Sequence, residues 1–502
     1  MLESLSLLAG GFSIALTPTA LLFAFIGAML GTLTGVLPGI GPASAIAILL
    51  PVVATSTSDP IFATIMLAGI YYGAMYGGST TAILVNIPGE VASVVTTLDG
   101  YQLAKQGKAG VALAVAAISS FVAGTLSILG LTFFAPPLAE MALQFGPPEY
   151  FGLMTMAFTL VIGLSGSSPL KGIVMALSGF LITMVGQDPL TAIPRFTFGS
   201  TELLSGINMV PIVVGVFAIG EILSNCEGDT TAIFEKINRL YPNKEELKTI
   251  SGATFRSGAV GFFLGLLPGC TAGAIAFIAY EFEKRFSKNK QLFGKGALDG
   301  VAAAEGSNNA ATSGGFVPLF SLGLPTAPAL AVLLSGLMIY GLEPGPLLFK
   351  EKPEFVWGVI ASMYVGNVML LILNLPLVGL WARMIQVPYH YLAPLVLVFS
   401  ILGAFGVRNN MFDVGVMLAC GLVGYILQRW QYPMAPLILG LVLGPMLEQS
   451  FRQALSMSGS SFAIFFTSPI AVTFLAIALL MVVFSLYNLV RGKKREALDN
   501  PA

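Results

Sequence analysis

The chain has 502 residues, of which 56% are hydrophobic and only 10% are charged, whereas soluble domains carry about 25% charged residues. This composition excludes an ordinary soluble protein and predicts an all-α polytopic membrane protein in a lipid bilayer. The 24 Lys and Arg residues nearly balance the 25 Asp and Glu residues, so charge gives no support for a nucleic-acid partner.

Two apolar segments carry Pro and Gly in their middle. Residues 22–54 contain GVLPGIGP, and residues 257–281 contain GLLPGC. Because Pro lacks an amide donor and Gly tolerates a turn, each segment predicts a re-entrant helical hairpin that turns at Leu-Pro-Gly. After each hairpin we predict a broken transmembrane helix, at 61–98 and at 297–342.

Ordinary crossings are predicted where uncharged segments are long enough to span ~30 Å of hydrocarbon. They lie near 110–135, 150–166, 171–187, 205–224, 356–380, 391–407, 411–428, 433–447 and 462–490. One alternating set of connections holds 19 of the 24 Lys and Arg residues. The positive-inside rule places that set, with the C-terminus, in the cytoplasm. We therefore predict a multi-pass membrane protein whose C-terminus is cytoplasmic.

The two halves of the chain repeat each other. Pro38 matches Pro268 at an offset of 230, and the block from Ala74 to Gly89 matches the block from Ala311 to Thr326 at an offset of 237. By the charge rule the first hairpin enters from outside and the second from the cytoplasm. This predicts an inverted-topology repeat, as in many secondary transporters. The predicted domains are a first repeat at 1–225, a cytoplasmic linker at 226–256, a second repeat at 257–461, and an additional helix with a cytoplasmic tail at 462–502.

The interrupted segments predict a binding site. Non-helical backbone at membrane depth is tolerated only where it is buried in protein or lines a wet cavity. Free N–H groups there suit an anionic substrate, and free carbonyls suit a small cation. The predicted substrate-binding residues are Pro38, Gly39, Gly77, Gly78, Ser79, Thr80, Asn86, Pro268, Gly269, Asn308, Asn309, Thr312, Ser313, Gly314, Gly315, Pro325 and Thr326. Because no Lys or Arg accompanies them, a polycarboxylate would be held by amide and hydroxyl donors together with bound cations.

Cation binding is predicted at a second, overlapping set of residues: Gly35, Gly41, Gly265, Thr271, Glu305, Ser307 and Asn308. Na+ is favoured over H+ because amide, hydroxyl and carbonyl oxygens suit a hard cation and ionisable relay residues are scarce. We predict no other cofactor or metal. Glu305 is either an intramembrane carboxylate or an interfacial one, ten residues beyond Lys295. A lone glycine or hydroxyl can equally serve helix packing.

Three stretches carry a family resemblance: GTLTGVLPGIGPASAIAILLP, LAGIYYGAMYGGSTTAILVNIPGEVASVVTTLDGYQLAKQGKAG and AAAEGSNNAATSGGFVPLFSLGLPT. They resemble the large permease subunit of bacterial tripartite tricarboxylate transporters, and the likeness covers essentially the whole chain. The resemblance implies secondary transport driven by an ion gradient across the bacterial cytoplasmic (inner) membrane. It also implies a periplasmic solute-binding protein and a small membrane subunit. It leaves open whether the substrate is a citrate-like tricarboxylate, a dicarboxylate or an aromatic acid.

The resemblance also assigns a duplicated glycine-proline motif. It falls on Gly31, Gly35, Pro38, Gly39 and Gly41, and again on Gly261, Gly265, Pro268 and Gly269, with Ala272 after the second tip. Thr271 stands where the first copy has Gly41. The two tips are therefore not equivalent, and a symmetrical pair of ligand sites is not expected.

Two other functions compete with a carrier. A G-x-S-G pattern around Ser165 is typical of intramembrane serine proteases, but its base would have to be His390, at a predicted helix end. Re-entrant loops also form channel filters, although filters repeat around an axis along the membrane normal. We therefore predict an ion-coupled importer without enzymatic activity, with alternating access of elevator type. Whether two copies form a homodimer stays open.

Overall fold

A computed structural model describes residues 2–37, 40–163, 168–188, 190–225, 239–384 and 389–483. Within these ranges the chain is almost entirely helical, and six helices are long and apolar enough to cross a membrane. The prediction of an all-α polytopic membrane protein is confirmed. The predicted tips Pro38 and Gly39, Ser165, the linker residues 226–238 and the C-terminal tail lie outside the described residues.

The helices are α1 (Leu2–Ala15), α2 (Pro18–Val36), α3 (Pro42–Ser56), α4 (Pro60–Val85), α5 (Ser93–Leu103), α6 (Ala109–Ala142), α7 (Pro147–Gly163), α8 (Pro169–Thr183), α9 (Met209–Val214), α10 (Gly220–Asn225), α11 (Lys244–Gly265), α12 (Ala272–Phe286), α13 (Leu298–Gly314), α14 (Phe316–Leu322), α15 (Pro328–Ile339), α16 (Pro346–Glu351), α17 (Pro353–Asn374), α18 (Val378–Met384), α19 (Tyr389–Arg408), α20 (Met411–Arg429), α21 (Met434–Met457) and α22 (Pro469–Val483). π-helical turns occupy Ala104–Lys108 and Gly215–Ile219, and 3-10 turns occupy Lys290–Leu292 and Phe462–Phe466. Strands β1 (Gly186–Gln187) and β2 (Pro194–Arg195) pair antiparallel.

The chain divides into two compact units. The first unit comprises Met1–Glu140 and Val210–Tyr425, and the second comprises Met141–Met209 and Ile426–Ala502. Both Pro-Gly segments and both broken segments belong to the first unit. The second unit packs α7 and α8 against α21, with Gly179 of α8 and Gly440 of α21 at the contact.

In the first unit, glycines let each hairpin pack tightly on the helix that follows it. α2 packs along α4, and α11 packs along α13. A Cβ on Gly31 would overlap the main chain of Ile70, and a Cβ on Gly261 would overlap the main chain of Ser307. The glycines are 230 residues apart and their partners 237 apart. The two offsets found in the sequence therefore recur in the helix contacts.

The second hairpin is held by hydrogen bonds at its start and at its tip. Its first helix begins with a capping box between Asn243 and Glu246, and Thr271 caps its second helix through the N–H of Ala274. At the tip, Gly269 has a positive φ of 83°, a conformation that glycine adopts without penalty. Its N–H donates to the carbonyl of Thr326, 3.1 Å away, which ties the tip to the break between α14 and α15.

Both predicted broken segments contain a break. In the first, α4 ends at Asn86, whose backbone is left-handed with φ 59°, and helix resumes at Ser93. In the second, α14 ends at Gly323, with φ 72°, and α15 begins at Pro328. Left-handed residues of this kind end helices by satisfying orphan carbonyls.

Several element bounds differ from the sequence expectation. The last part of the linker, which we expected to be a helix, does not end at residue 256: it is continuous with the first arm of the second hairpin as α11, which the Asn243 capping box starts. The predicted crossing at 356–380 ends as helix α17 at Asn374, shortly before Pro376, which disfavours helix at the residue before it. The final segment begins with a 3-10 turn, and its helix starts only at Pro469.

Candidate functional site

Glu305 lies at the centre of the candidate site. It is in the middle of α13 and only 1% exposed. Ser79 of α4 donates a hydrogen bond of 2.6 Å to one carboxylate oxygen, and the hydroxyl of Thr96 of α5 donates to the other. The two helices that flank the first break thus both contact this carboxylate. The Glu305 side chain is thus buried within the protein, and its depth in the membrane stays a prediction.

Glu90 is a second buried carboxylate, and it comes from the break itself. Its side chain accepts from the N–H of Ala92 at 2.8 Å and from the side-chain amide of Asn308 at 3.1 Å. Ser93 donates to the Glu90 carbonyl at 2.8 Å. Because its own loop and α13 both hold it, Glu90 has a defined position beside the Glu305 face of α13.

Two side-chain amides bring unpartnered oxygens into this region. Asn308 Oδ1 and Asn309 Oδ1 are buried, and neither has a hydrogen-bond partner among the described residues. The Asn309 amide nitrogen donates to Ser120 Oγ at 2.7 Å and to the Glu305 carbonyl at 3.2 Å. The acceptor that each amide nitrogen contacts fixes the orientation of the amide. For Asn308 this acceptor is the Glu90 carboxylate, and for Asn309 it is the Glu305 main-chain carbonyl. The atoms of the site that lack a hydrogen-bond partner in the described residues are therefore acceptors.

Neither carboxylate has a basic partner in the described part of the chain. The ion pairs found there involve other residues, and the sequence holds no Lys or Arg at 60–104 or 296–349. Burying an uncompensated charge is costly. The arrangement can accept a cation or a proton, and it repels a free anion until one is bound.

The region around these residues matches a known family. The chain matches the tripartite tricarboxylate transporter TctA family over residues 21–439. The protein belongs to this family. The match includes both hairpins, both breaks, Glu90 and Glu305.

Two relatives from Agrobacterium vitis are similar to this TctA family chain. An uncharacterized 52.8 kDa protein in the TAR-I ttuC' 3' region is 46% identical over 496 residues, which cover 98% of either chain. An uncharacterized protein in the TAR-II ttuC' 3' region is 42% identical over 234 residues, 47% of this chain and 97% of the relative. No solved structure matches the chain.

Family membership makes the chain a component of a tripartite tricarboxylate transporter and a multi-pass membrane protein. The tripartite family implies two partners, a solute-binding protein and a small membrane subunit. Membership in a transporter family is consistent with a protein that is not an enzyme. His390 lies in α19, but its side chain is outside the described part, as is Ser165.

Two of the glycines predicted to bind substrate, Gly77 and Gly314, lie at close helix contacts. A Cβ on Gly77 would lie 2.5 Å from the carbonyl oxygen of Thr32, and one on Gly314 would lie 2.7 Å from that of Phe262. Gly35 and Gly265, predicted as cation ligands, pack in the same way on α4 and α13. Close packing thus explains the missing side chain at these positions without a ligand.

Other glycines predicted as site residues in this TctA family chain have different surroundings. A Cβ on Gly78 would lie 2.9 Å from Cγ of Glu90, whereas one on Gly315 would lie 2.7 Å from the hydroxyl of Thr326. Gly78 thus makes room for Glu90. Around Gly41, by contrast, no atom lies within 4 Å of a built Cβ.

The remaining predicted residues divide between the cluster and its surroundings. Thr80, Ser307, Thr312, Ser313 and Thr326 are buried, with exposures of 3% or less. Ser307 and Thr312 donate to carbonyls of their own helix, and Ser313 accepts from the hydroxyl of Tyr72 at 2.8 Å. Pro268 is buried in the turn between α11 and α12, and Pro325 is buried in the break between α14 and α15. Asn86 is exposed directly after α4, and Thr271 caps α12.

Three residues of the cluster were not predicted: Glu90, Thr96 and Ser120. Glu90 did leave a signal, because it is the sole acid between Asp59 and Asp99 and directly follows the NIPG break. The sequence does not single out Thr96 or Ser120, because hydroxyl side chains are common on packed membrane helices. Only tertiary contacts reveal that both reach Glu305 or its neighbour Asn309.

Proposed function

We propose that the chain imports small carboxylates, citrate-like tricarboxylates or dicarboxylates, by ion-coupled secondary transport across the bacterial inner membrane. A periplasmic solute-binding protein would deliver the substrate, and the C-terminus would lie in the cytoplasm. The observation that carries this proposal is Glu305, a buried carboxylate with no basic partner in the described residues, which Ser79 and Thr96 hold from both sides of a break.

The charges of the site give a reason for coupling. A carboxylate substrate has the same sign as Glu305 and Glu90, so it binds well only after a cation has neutralised them. By linkage, the substrate then strengthens cation binding by the same factor. We propose Na+ as the coupling ion because hydroxyl oxygens contact the Glu305 carboxylate and the amide oxygens of Asn308 and Asn309, further along the same helix, have no partner in the described residues, and oxygen atoms of these kinds suit a hard cation.

Alternating access follows from the same arrangement. Both hairpins and both breaks belong to the first unit, and the N-termini of helices at such interruptions suit an anion. We propose that these elements move together and carry the site, as in an elevator. A channel with re-entrant filter loops is the competing function, and it differs in a measurable way, because channel flux does not saturate with the loaded binding protein.

Reconstitution tests the proposal. The chain and its small membrane subunit are placed in proteoliposomes, and uptake of labelled citrate or a dicarboxylate is measured with the loaded binding protein under a Na+ gradient or a pH gradient. We expect saturable uptake driven by Na+. Glu305→Gln should lower it at least about ten-fold, within the usual range of coupling energies, whereas Glu140→Gln, at an exposed residue, should leave it unchanged.

Three outcomes would contradict the proposal. Uptake that proceeds equally well without either gradient would exclude ion coupling. Flux that rises linearly with substrate and ignores the binding protein would favour the channel. Wild-type rates in Glu305→Gln would show that the coupling ion binds elsewhere.

A further inference from the structure

Glu90 and Asn308 contact each other at a position to which the transport proposal assigns no ligand of its own. Glu90 is 7% exposed and Asn308 is 1% exposed. The Asn308 amide nitrogen donates to Glu90 Oε1 at 3.1 Å, so the amide group lies directly against the carboxylate. Its oxygen, Oδ1, is buried without a partner in the described residues.

The unpartnered atom decides which kind of ligand fits here. A buried carbonyl oxygen without a donor destabilises the protein, and a cation or a hydrogen-bond donor removes that cost. An anion would add to it. Since the Asn308 nitrogen is committed to the carboxylate, the amide cannot be turned to offer a donor instead. The carboxylate and the carbonyl oxygen together are the type of ligand set that a hard cation prefers.

We propose that Glu90 and Asn308 bind a Na+ ion of their own, at a position separate from that at Glu305, so that the empty carrier takes up two Na+ ions. This inference rests on the proposed function in one respect, because it assigns the second ion to the same transport cycle. Nothing in the TctA family match or in the relatives assigns either residue.

Two positions are needed because the two carboxylates have separate surroundings. Both oxygens of Glu305 accept from hydroxyls, those of Ser79 and Thr96. Glu90 is held instead by a main-chain N–H and by Asn308. Two negative charges in a low-dielectric interior require two positive charges, and a single monovalent ion neutralises only one of them.

The second ion position has no counterpart in the other half of the chain. The residue 237 positions after Glu90 is Ala327, and the one after Gly78 is Gly315. Gly315 faces Leu330 and the hydroxyl of Thr326. The repeat therefore provides the Glu90 position once, which makes a total of two ions rather than three or four.

The test measures ion binding without transport. The purified full-length chain, in detergent and without substrate, is titrated with radioactive Na+, with choline as the balancing cation. We expect two Na+ ions bound per wild-type chain and one in Glu90→Gln, whose side chain keeps its shape but loses its charge. Glu305→Gln should likewise bind one, and Glu343→Gln, an exposed control, should bind two.

A second variant guards against misfolding. Asn308→Ala removes Oδ1 and leaves both carboxylates, so it should weaken one of the two binding events and leave the other unchanged. Full binding of two ions in both Glu90→Gln and Asn308→Ala would overturn the proposal. A site that releases a proton as the pH rises, with one Na+ bound in the wild type, would show that Glu90 carries a proton and would also overturn it.

The outcome is separate from that of the transport proposal. Two bound Na+ ions together with uptake that no Na+ gradient drives would refute the proposed coupling and leave the second ion position intact. Na+-driven uptake together with unchanged binding in Glu90→Gln would do the opposite.

Discussion

Gly35 and Gly41 belong to the same glycine-proline motif but have opposite surroundings. A Cβ on Gly35 would overlap the main chain of Ala74, whereas a Cβ on Gly41 would meet no atom within 4 Å. Gly41 precedes α3 with φ −68°, a conformation that any residue adopts. The missing side chain is thus a packing requirement at Gly35 and not at Gly41.

This contrast predicts the outcome of a matched pair of substitutions. Gly35→Ala should force α2 away from α4 and destabilise the fold by about 1–3 kcal/mol, the usual cost of overpacking. Gly41→Ala should leave the melting temperature within experimental error. Scanning fluorimetry of the purified protein in detergent measures both. Equal melting temperatures for the two variants would show that the α2–α4 contact is looser than described.

At the same scale, the sequence predicted part of the site. Ser79, Glu305, Asn308 and Asn309 were identified because polar residues are rare in membrane helices and usually functional. Glu90 was missed because a turn follows no periodicity, so its direction cannot be derived from spacing. Its position depends on where α13 passes the break, which is a tertiary property.

At the scale of elements, a network of charges ties the β1–β2 hairpin to α21 in the second unit. Arg195 contacts Glu448 at 2.6 Å, and Arg452 contacts Asp188 at 2.5 Å and Glu448 at 3.1 Å. Asp188 also accepts from the N–H groups of Leu190 and Thr191, which shapes the turn between the strands. The hydrogen bond from Arg452 is the main reason that the pKa of Asp188 is lowered from its usual value.

The lowered pKa of Asp188 predicts a pH dependence of stability. A carboxyl group whose pKa is lower in the folded state stabilises the fold above its unfolded pKa, about 3.9 for Asp. That contribution is lost as the pH falls through the folded pKa. Asp188→Asn should therefore lower the melting temperature at pH 7, and its difference from the wild type should shrink progressively below about pH 4.

The measurement is a series of melting curves in detergent from neutral to acidic pH, with Glu343→Gln as a control for the loss of an exposed carboxylate. A difference between Asp188→Asn and the wild type that stays constant with pH would contradict the prediction. It would show that the hairpin depends on the shape of Asp188 rather than on its charge.

Helices were predicted better than their ends. The uncharged segments predicted α6, α7, α8, α20 and α21 because backbone in a bilayer must satisfy its hydrogen bonds internally. A helix was expected in the linker, but not its bounds: the Asn243 capping box starts α11, which then runs across the predicted boundary at residue 257 to Gly265. The pattern of charge locates a crossing, whereas capping chemistry decides where the helix begins.

At the scale of the whole molecule, the two predicted hairpins make matching helix contacts in the first unit. Their glycines contact the following helices at the same offsets, and their open ends carry exposed residues at matching positions. Ser58 follows the first hairpin and Lys288 follows the second, 230 residues apart. The distribution of Lys and Arg predicts that these two ends face opposite sides of the membrane.

Cysteine labelling tests that orientation. In a protein whose native Cys226, Cys270 and Cys420 are replaced by serine or alanine, Ser58→Cys and Lys288→Cys are each treated with a membrane-impermeant maleimide. In right-side-out vesicles we expect Ser58→Cys to react and Lys288→Cys to react only after permeabilisation; inverted vesicles should give the reverse. Because both residues are exposed at the end of a hairpin, accessibility within the protein does not distinguish them, and the membrane does. If both reacted from the same side, the hairpins would enter in parallel and the repeat would not be inverted. That outcome would also contradict the proposed alternating access, because access around one site in this architecture depends on half-helices that approach it from opposite faces.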